Sequence, residues 1–497
     1  MGFNWLLSIG LLAIIVPTDG ATYRAAVYEH PVIPPKFPAI SRKMALAQMS
    51  LNLKAYAARA MQAGQKNVDI LVFPEDGLYG WELKTREKMF HYLEPIPDPK
   101  LVQWNPCMEP MRFPQDEIQV ALSCMAKRNN LYIAAVMADV QKCLYGIDPN
   151  CHKNGLYQYN TLVVYDRKGY FIAKYHKQNR YDEPQFNAPT HPEYIWFDTE
   201  FGRFGLVICN DIMFYDPIME LIRDHNVTDI IMPLAWPDSL PLYMSVAYMS
   251  SFAVGHTVNV LAAGIKEPHK PQSTVRGSGL FTPLGPQKYV YDIYTPHGHL
   301  VVADMPINIR KTVKLPCDVN PIHFGPEHMK ALVPPIAEFK SQLLGDWVTF
   351  AFLKGTEGKM TVCNNGFCCY LQYKKEYSYD RYAFGAYSGL HKAYGPFYNQ
   401  ICVLIKCKGI HPHTCGTYVY KAHTRFEEFH IKGNFSSPFI QPQILLSAPN
   451  YNRAIAPIGT FTYDSEGLIG SAKVKPLMHA ALFARVYRKD CMTCLYG

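Results

Sequence analysis

Three residues of unlike chemistry occupy the same kind of place in this chain. Glu75 follows the apolar run Ile70-Leu71-Val72-Phe73-Pro74, Lys177 follows the strand-like stretch Tyr170 to Tyr175, and Cys209 ends the run Phe204 to Ile208. Apolar runs this short read as buried strands, and in α/β proteins ligands bind beyond the carboxyl ends of strands. If the three strands are neighbours, a base, a cation and a thiol converge. That set suits covalent acyl transfer: the carboxylate takes the thiol proton, the thiolate attacks a carbonyl carbon, and the ammonium stabilises the oxyanion. Singly, each has an ordinary reading: a packed core thiol, a carboxylate in a turn, a solvated lysine. Beyond the thiol, Asp216 and Pro217 read as the N-cap and first position of a helix. Helix N–H groups near Cys209 would favour its thiolate.

The elements around these residues alternate. Tyr23 to Tyr28 reads as a strand, and Ser41 as the cap of a helix to about Gly64 with Ala45, Leu46, Met49, Leu53, Tyr56, Ala57, Ala60 and Met61 at helical spacing. A second amphipathic helix covers Pro114 to Lys127, a strand covers Leu131 to Met137, and the runs on either side of Arg167-Lys168-Gly169 read as a hairpin. Strands at Asp229 to Met232 and Val258 to Gly264 enclose a helix from Met244. Alternation over nearly 300 residues predicts an α/β domain with helices packed on sheet, spanning 21–310. Residues 311–345, rich in proline and without period, read as a linker. From 346 to 497, short strand-like runs broken by Gly, Asn and Pro predict a smaller β-rich domain.

Composition bounds the rest. A chain of 497 residues is too long for one ordinary core. Hydrophobic content of 48% with 18% charged residues describes a globular chain. The net charge of +8 is spread without basic blocks, so no nucleic-acid partner is expected. Residues 1–20, with the apolar core Leu6 to Val16 and small residues Thr18 and Gly20, read as a secretory signal. No other segment is apolar enough to cross a membrane. Fourteen cysteines then imply disulfides. Cys107 with Cys124 and Cys143 with Cys151 are plausible local pairs, and the spacings fit no paired zinc framework. Setting Cys209 aside leaves an odd number. Asn226-Val-Thr228 and Asn434-Phe-Ser436 are glycosylation sequons, so sugar is expected on Asn226 and Asn434. Nothing in the sequence fixes an oligomeric state.

The stretches Val72-Phe73-Pro74-Glu75-Asp76-Gly77, Tyr175-His176-Lys177-Gln178-Asn179 and Cys209-Asn210-Asp211-Ile212 resemble, in order and spacing, the Glu–Lys–Cys motifs of the nitrilase superfamily. Ala25-Ala26-Val27-Tyr28-Glu29-His30, Trp104-Asn105-Pro106-Cys107, Gly277-Ser278-Gly279 and Gly366-Phe367-Cys368-Cys369-Tyr370 resemble its vanin/biotinidase branch. The resemblance implies an αββα sandwich followed by a β-rich, disulfide-stapled domain. It implies Glu75 as general base and later acid, Cys209 as nucleophile, and Lys177 as oxyanion stabiliser together with the backbone N–H of Asn210. It implies Glu183 as the carboxylate that positions the lysine, and neither metal nor cofactor.

The expected activity is a secreted amidohydrolase acting on a small-molecule amide, pantetheine first and biocytin as the alternative. A catalytically silent secreted binding protein is the reading from another class. Two departures bear on the pocket: the branch commonly carries Thr-Cys-Phe-Asp where this chain has Ile208-Cys209-Asn210-Asp211, and Pro-Thr-Ala-Trp where it has Pro233-Leu234-Ala235-Trp236. The chain ends Cys494-Leu495-Tyr496-Gly497 without a hydrophobic tail, so no lipid anchor is expected.

Overall fold

The first strand, β1 (Thr22–Pro31), sends alternate side chains to opposite faces. Ala25 and Val27 join one apolar cluster, Ala26 and Tyr28 another. The same division runs through β2 (Ile70–Val72), β3 (Tyr132–Lys142), β4 (Leu156–Tyr165) and β5 (Phe171–His176). The structure is a computed structural model, and it describes residues 21–270, 272–292, 294–307, 337–393, 395–449 and 453–490. The signal segment, most of the linker, and Cys317, Cys491 and Cys494 lie outside those residues.

A second layer comprises β6 (Trp196–Thr199), β7 (Gly202–Leu206), β8 (Asp229–Leu234), β9 (Asn259–Lys266), β10 (Ser278–Thr282) and β11 (Gly285–Val290). The first layer runs β5-β4-β3-β2-β1, closed by β12 (His299–Pro306) antiparallel to β1. Among the described residues, the two layers pair edge to edge only where β1 meets β9 at His30 and Pro31. Their inner faces share a core in which Val27, Val72 and Val136 meet Leu206, Ile230 and Met232. On the outer face of the first layer lie the helices Arg42–Gln65 and Glu117–Asn129, through Tyr56, Ala60, Leu122 and Ala126. Ser41 caps the longer helix by accepting from the Met44 N–H. Its predicted face holds except at Ala57, which is exposed, and at Met61, which is 53% exposed. This is the αββα sandwich with a C-terminal β domain that the sequence leads one to expect.

The C-terminal domain pairs a seven-stranded with a five-stranded antiparallel sheet. Leu404 and Leu482 of the first pack against Leu371 and Ile431 of the second, and Cys369–Cys402 ties the two sheets together. A strand at Glu338–Leu343 pairs with Asp346–Phe352, so strand structure begins inside the stretch read as linker. Its alternation is masked in the sequence because the inward position between Lys340 and Gln342 is held by a polar residue, Ser341, which is buried and donates to the Cys415 carbonyl at 2.6 Å. Helix Ser245–His256 is buried all round, as a helix between two sheets must be. At Gly255 a Cβ would lie 2.2 Å from the Ile440 carbonyl oxygen, so only glycine permits this approach to the C-terminal sheet. Four more disulfides join Cys107–Cys124, Cys143–Cys151, Cys363–Cys368 and Cys407–Cys415; Cys209 is free and buried.

Candidate active site

Glu75, Lys177 and Cys209 do converge, but their strands are not neighbours. β2 and β5 are separated by β3 and β4, and β7 belongs to the opposite layer. Stacking the layers face to face, rather than pairing the strands, brings the three ends together.

Lys177 is 2% exposed and sits between two carboxylates, 2.6 Å from Glu75 Oε1 and 2.6 Å from Glu183 Oε2. Asn160 of β4 donates through Nδ2 to the same pair, at 2.8 Å to Glu75 and 2.6 Å to Glu183. The Ala235 N–H, just past β8, donates to Glu75 Oε2 at 3.1 Å. Burial raises the Glu75 pKa above the ordinary carboxylate range, against the pull of Lys177. Burial alone would discharge Lys177, yet Glu183 and Glu75 keep it charged to well above its ordinary range.

Burial, with the Glu75 charge near it, holds the pKa of the Cys209 thiol well above the ordinary value. The expected thiolate from helix N–H groups is therefore not the resting state. The helix begins only at Ile218, with Pro217 as its N-cap, and Asp216 accepts from the Tyr194 hydroxyl at 2.9 Å. The strand instead gives way to a 3₁₀ turn, Cys209–Met213. Cys209 holds a left-handed φ of 45° there, a conformation that costs energy for a non-glycine residue and marks a position fixed by its surroundings.

Asp211 does much of the fixing. Fully buried, it accepts from the Ile208 N–H at 2.9 Å, the Tyr175 hydroxyl at 2.7 Å and the Asn179 N–H at 2.8 Å. It thereby ties the thiol's turn to the segment carrying Lys177. Burial raises its pKa to about 6. The sequence reading gave neither Asp211 nor Asn160 a role, although an asparagine leading into the apolar run Leu162 to Tyr165 of the same strand was a usable signal.

Cys209 opens onto a cleft lined by Tyr181, Asn210, Met213, Trp236, Tyr243 and Phe397, together with Pro237 and Ser239. Among the described residues, the lining carries no ionic side chain. Asn210 lies on its wall and donates to the Arg180 carbonyl at 3.3 Å. The other two departures, Ile208 and Leu234, are buried in the inter-layer core and do not line the cleft. Asn226 and Asn434 stand away from the cleft; Asn434 accepts from the Cys368 N–H at 2.6 Å.

A fold of this kind, with a free thiol, a lysine and carboxylates at one end, defines an amide-hydrolysing enzyme class, and comparison with known proteins makes it specific. The Carbon-nitrogen hydrolase family matches residues 24–239, and the Vanin C-terminal domain family matches 337–490. The chain is 39% identical to the pantetheinase of Mus musculus over 99% of its own length and 94% of that protein's. It is 38% identical to the pantetheinase of Homo sapiens and 37% identical to the biotinidase of Homo sapiens, each over 94% of this chain and 90% of the relative. An amidase from Nesterenkonia sp. aligns with a TM-score of 0.41 at 16% identity, covering 60% of this chain and 95% of that one. The chain belongs to the vanin–biotinidase family of carbon–nitrogen hydrolases.

Proposed function

We propose that this protein is a secreted amidohydrolase that cleaves pantetheine to pantothenate and cysteamine. Glu75 accepts the thiol proton as Cys209 attacks the amide carbonyl. Lys177, with the Asn210 backbone N–H, stabilises the tetrahedral oxyanion. Glu75 then returns the proton to the departing amine, leaving a thioester on Cys209. Water attacks the thioester, its proton passes to Glu75, and the thiol is restored. The neutral resting thiol suits this scheme, because proton transfer to Glu75 accompanies attack. Glu183 and Asn160 hold Lys177 and Glu75 in place.

The observation that carries the choice of substrate is the uncharged lining of the cleft. Pantetheine is uncharged on both sides of its scissile amide. Biocytin presents a lysine with its own ammonium and carboxylate, which such a lining leaves unpaired and desolvated. The stretches that resemble biotinidase, around Trp104 and Cys369, contribute nothing to the lining. Trp104 is buried against Phe113, and Cys369 is bonded to Cys402. Five disulfides support an oxidising, extracellular setting, as do the sequons at Asn226 and Asn434.

The test is to give purified protein pantetheine and biocytin separately. Cleavage of pantetheine is expected. Cleavage of biocytin with pantetheine left intact would overturn the substrate. Cleavage of neither would favour the silent binding protein.

A further inference from the structure

The cleft at Cys209 is not closed by the hydrolase sandwich alone. One wall is Phe397, which begins a strand of the C-terminal domain, Phe397–Lys406. Its ring meets the edge of Phe214 at 5.2 Å, just past the thiol's turn. The Arg485 guanidinium lies 4.7 Å from the centroid of the same ring.

Arg485 is the last residue of the strand Leu477–Arg485 and has no exposed surface. A buried guanidinium is costly unless its donors are saturated. Here Nη2 pairs with Asp490 at 2.7 Å, and Nη1 donates to the Tyr398 carbonyl at 2.9 Å and to Asn399 Oδ1 at 3.2 Å. Nε crosses between the domains and donates to the Met213 carbonyl at 3.0 Å. Met213 closes the 3₁₀ turn that Cys209 opens, and it lines the cleft itself. Asn399 in turn donates to the hydroxyl of Tyr243, another lining residue, at 3.4 Å. One planar cation thus sets the place of an aromatic wall and anchors the end of the thiol's turn. Ordinary interdomain packing needs apolar contact, not a saturated arginine aimed at one carbonyl of one turn.

We propose that the C-terminal domain supplies a working part of the catalytic cleft. Phe397 is a specificity-determining wall that contacts an uncharged, apolar portion of the substrate beside the scissile amide. Arg485 is the positioning residue that holds Phe397 and the turn of Cys209 in one geometry. The inference rests on Cys209 as nucleophile.

The experiment uses the full chain with Phe397→Ala, Phe397→Leu, Arg485→Lys and, as a control, Leu404→Ala. Leu404 lies in the strand of Phe397 but packs into the core between the two C-terminal sheets. Two measurements are made on each. One is kcat and KM on pantothenoyl amides whose leaving amines range from apolar to charged. The other needs no turnover: the rates of Cys209 alkylation by iodoacetamide and by N-phenyl iodoacetamide.

Phe397→Ala is expected to raise KM for apolar amides about tenfold, to spare kcat, and to shift the ratio of the two alkylation rates. Phe397→Leu should restore most of both. Arg485→Lys should lower kcat and change both alkylation rates in parallel. Leu404→Ala should leave the KM pattern and the alkylation ratio at wild-type values. If Phe397→Ala and Arg485→Lys behave as Leu404→Ala does, the C-terminal domain is support alone and the proposal fails. If wild type cleaves no amide yet the alkylation ratio still moves with Phe397, the proposed activity fails and the wall stands.

Discussion

Two places in this molecule set two glutamates around one lysine, and only one of them is built for chemistry. At the strand ends, Lys177 lies between Glu75 and Glu183 with all three buried. At the surface, Lys270 lies 2.7 Å from both Glu82 and Glu267, with its side chain 40% exposed. Distances and composition are nearly the same. The difference is water on two of the three groups: Lys270 and Glu82 are 40% and 35% exposed, although Glu267 itself is buried. Burial raises the Glu75 pKa despite its lysine, whereas hydrogen bonds from Lys270, Ser273 and Trp81 outweigh burial and lower that of Glu267. Glu82, Glu267 and His269 also bring potential ligand atoms within 4.8 Å of one another, but the Lys270 ammonium already sits on both carboxylates. A carboxylate kept reluctant to ionise next to a thiol can trade protons with it; one stabilised as an anion by hydrogen bonds and a part-exposed lysine is a brace.

Breaking the buried set should cost far more than breaking the exposed one. Cys209→Ala is expected to lower kcat on pantetheine by at least about 10⁴-fold while leaving the circular dichroism spectrum unchanged. Lys177→Gln removes the oxyanion's cation and leaves Glu75 and Glu183 facing each other. A loss of about 10²- to 10³-fold in kcat is expected, and a loss under threefold would mean that the backbone N–H suffices. Asn160→Leu, which keeps volume but removes the donor shared by both carboxylates, should cost about tenfold in kcat/KM.

The pH profile sharpens the same contrast. Only ionised Glu75 can accept the thiol proton, and its pKa is raised. Activity should therefore fall as pH drops through a value above the ordinary 4.5, read from the acid limb of kcat/KM. A limb at or below 4.5 would place Glu75 among the stabilised anions. The smallest effect belongs to the surface cluster. Lys270→Ala should leave kcat/KM within about twofold and thermal stability within about 1 kcal/mol.

Much of this was legible in the sequence, for a physical reason. Strands buried on both faces read as unbroken apolar runs, so β2, β7, β8 and β9 and the polar residues ending them stood out. Their convergence did not. The condition that the three strands be neighbours is not the one the fold meets: residues from two stacked layers come together at a distance in strand order that no local pattern records. The turn at Cys209 was misread in a similar way. Asp216-Pro217 is a good helix-start signal, yet a 3₁₀ turn intervenes, stabilised by Asp211 through contacts reaching back to Tyr175 and Asn179. Phe397 and Arg485 lie some 190 and 280 residues beyond the thiol in a region legible only as short β-runs, so their approach to the cleft had no sequence signature.

The central claim is that Cys209 carries the acyl group of the substrate. Rapid acid quenching of the wild-type protein during pantetheine turnover, followed by peptide mass analysis, tests it most directly. The account predicts a pantothenoyl adduct on the peptide containing Cys209, lost on hydroxylamine treatment and absent from Cys209→Ala. Steady release of cysteamine with Cys209 unmodified, or an adduct on any other residue, would contradict it.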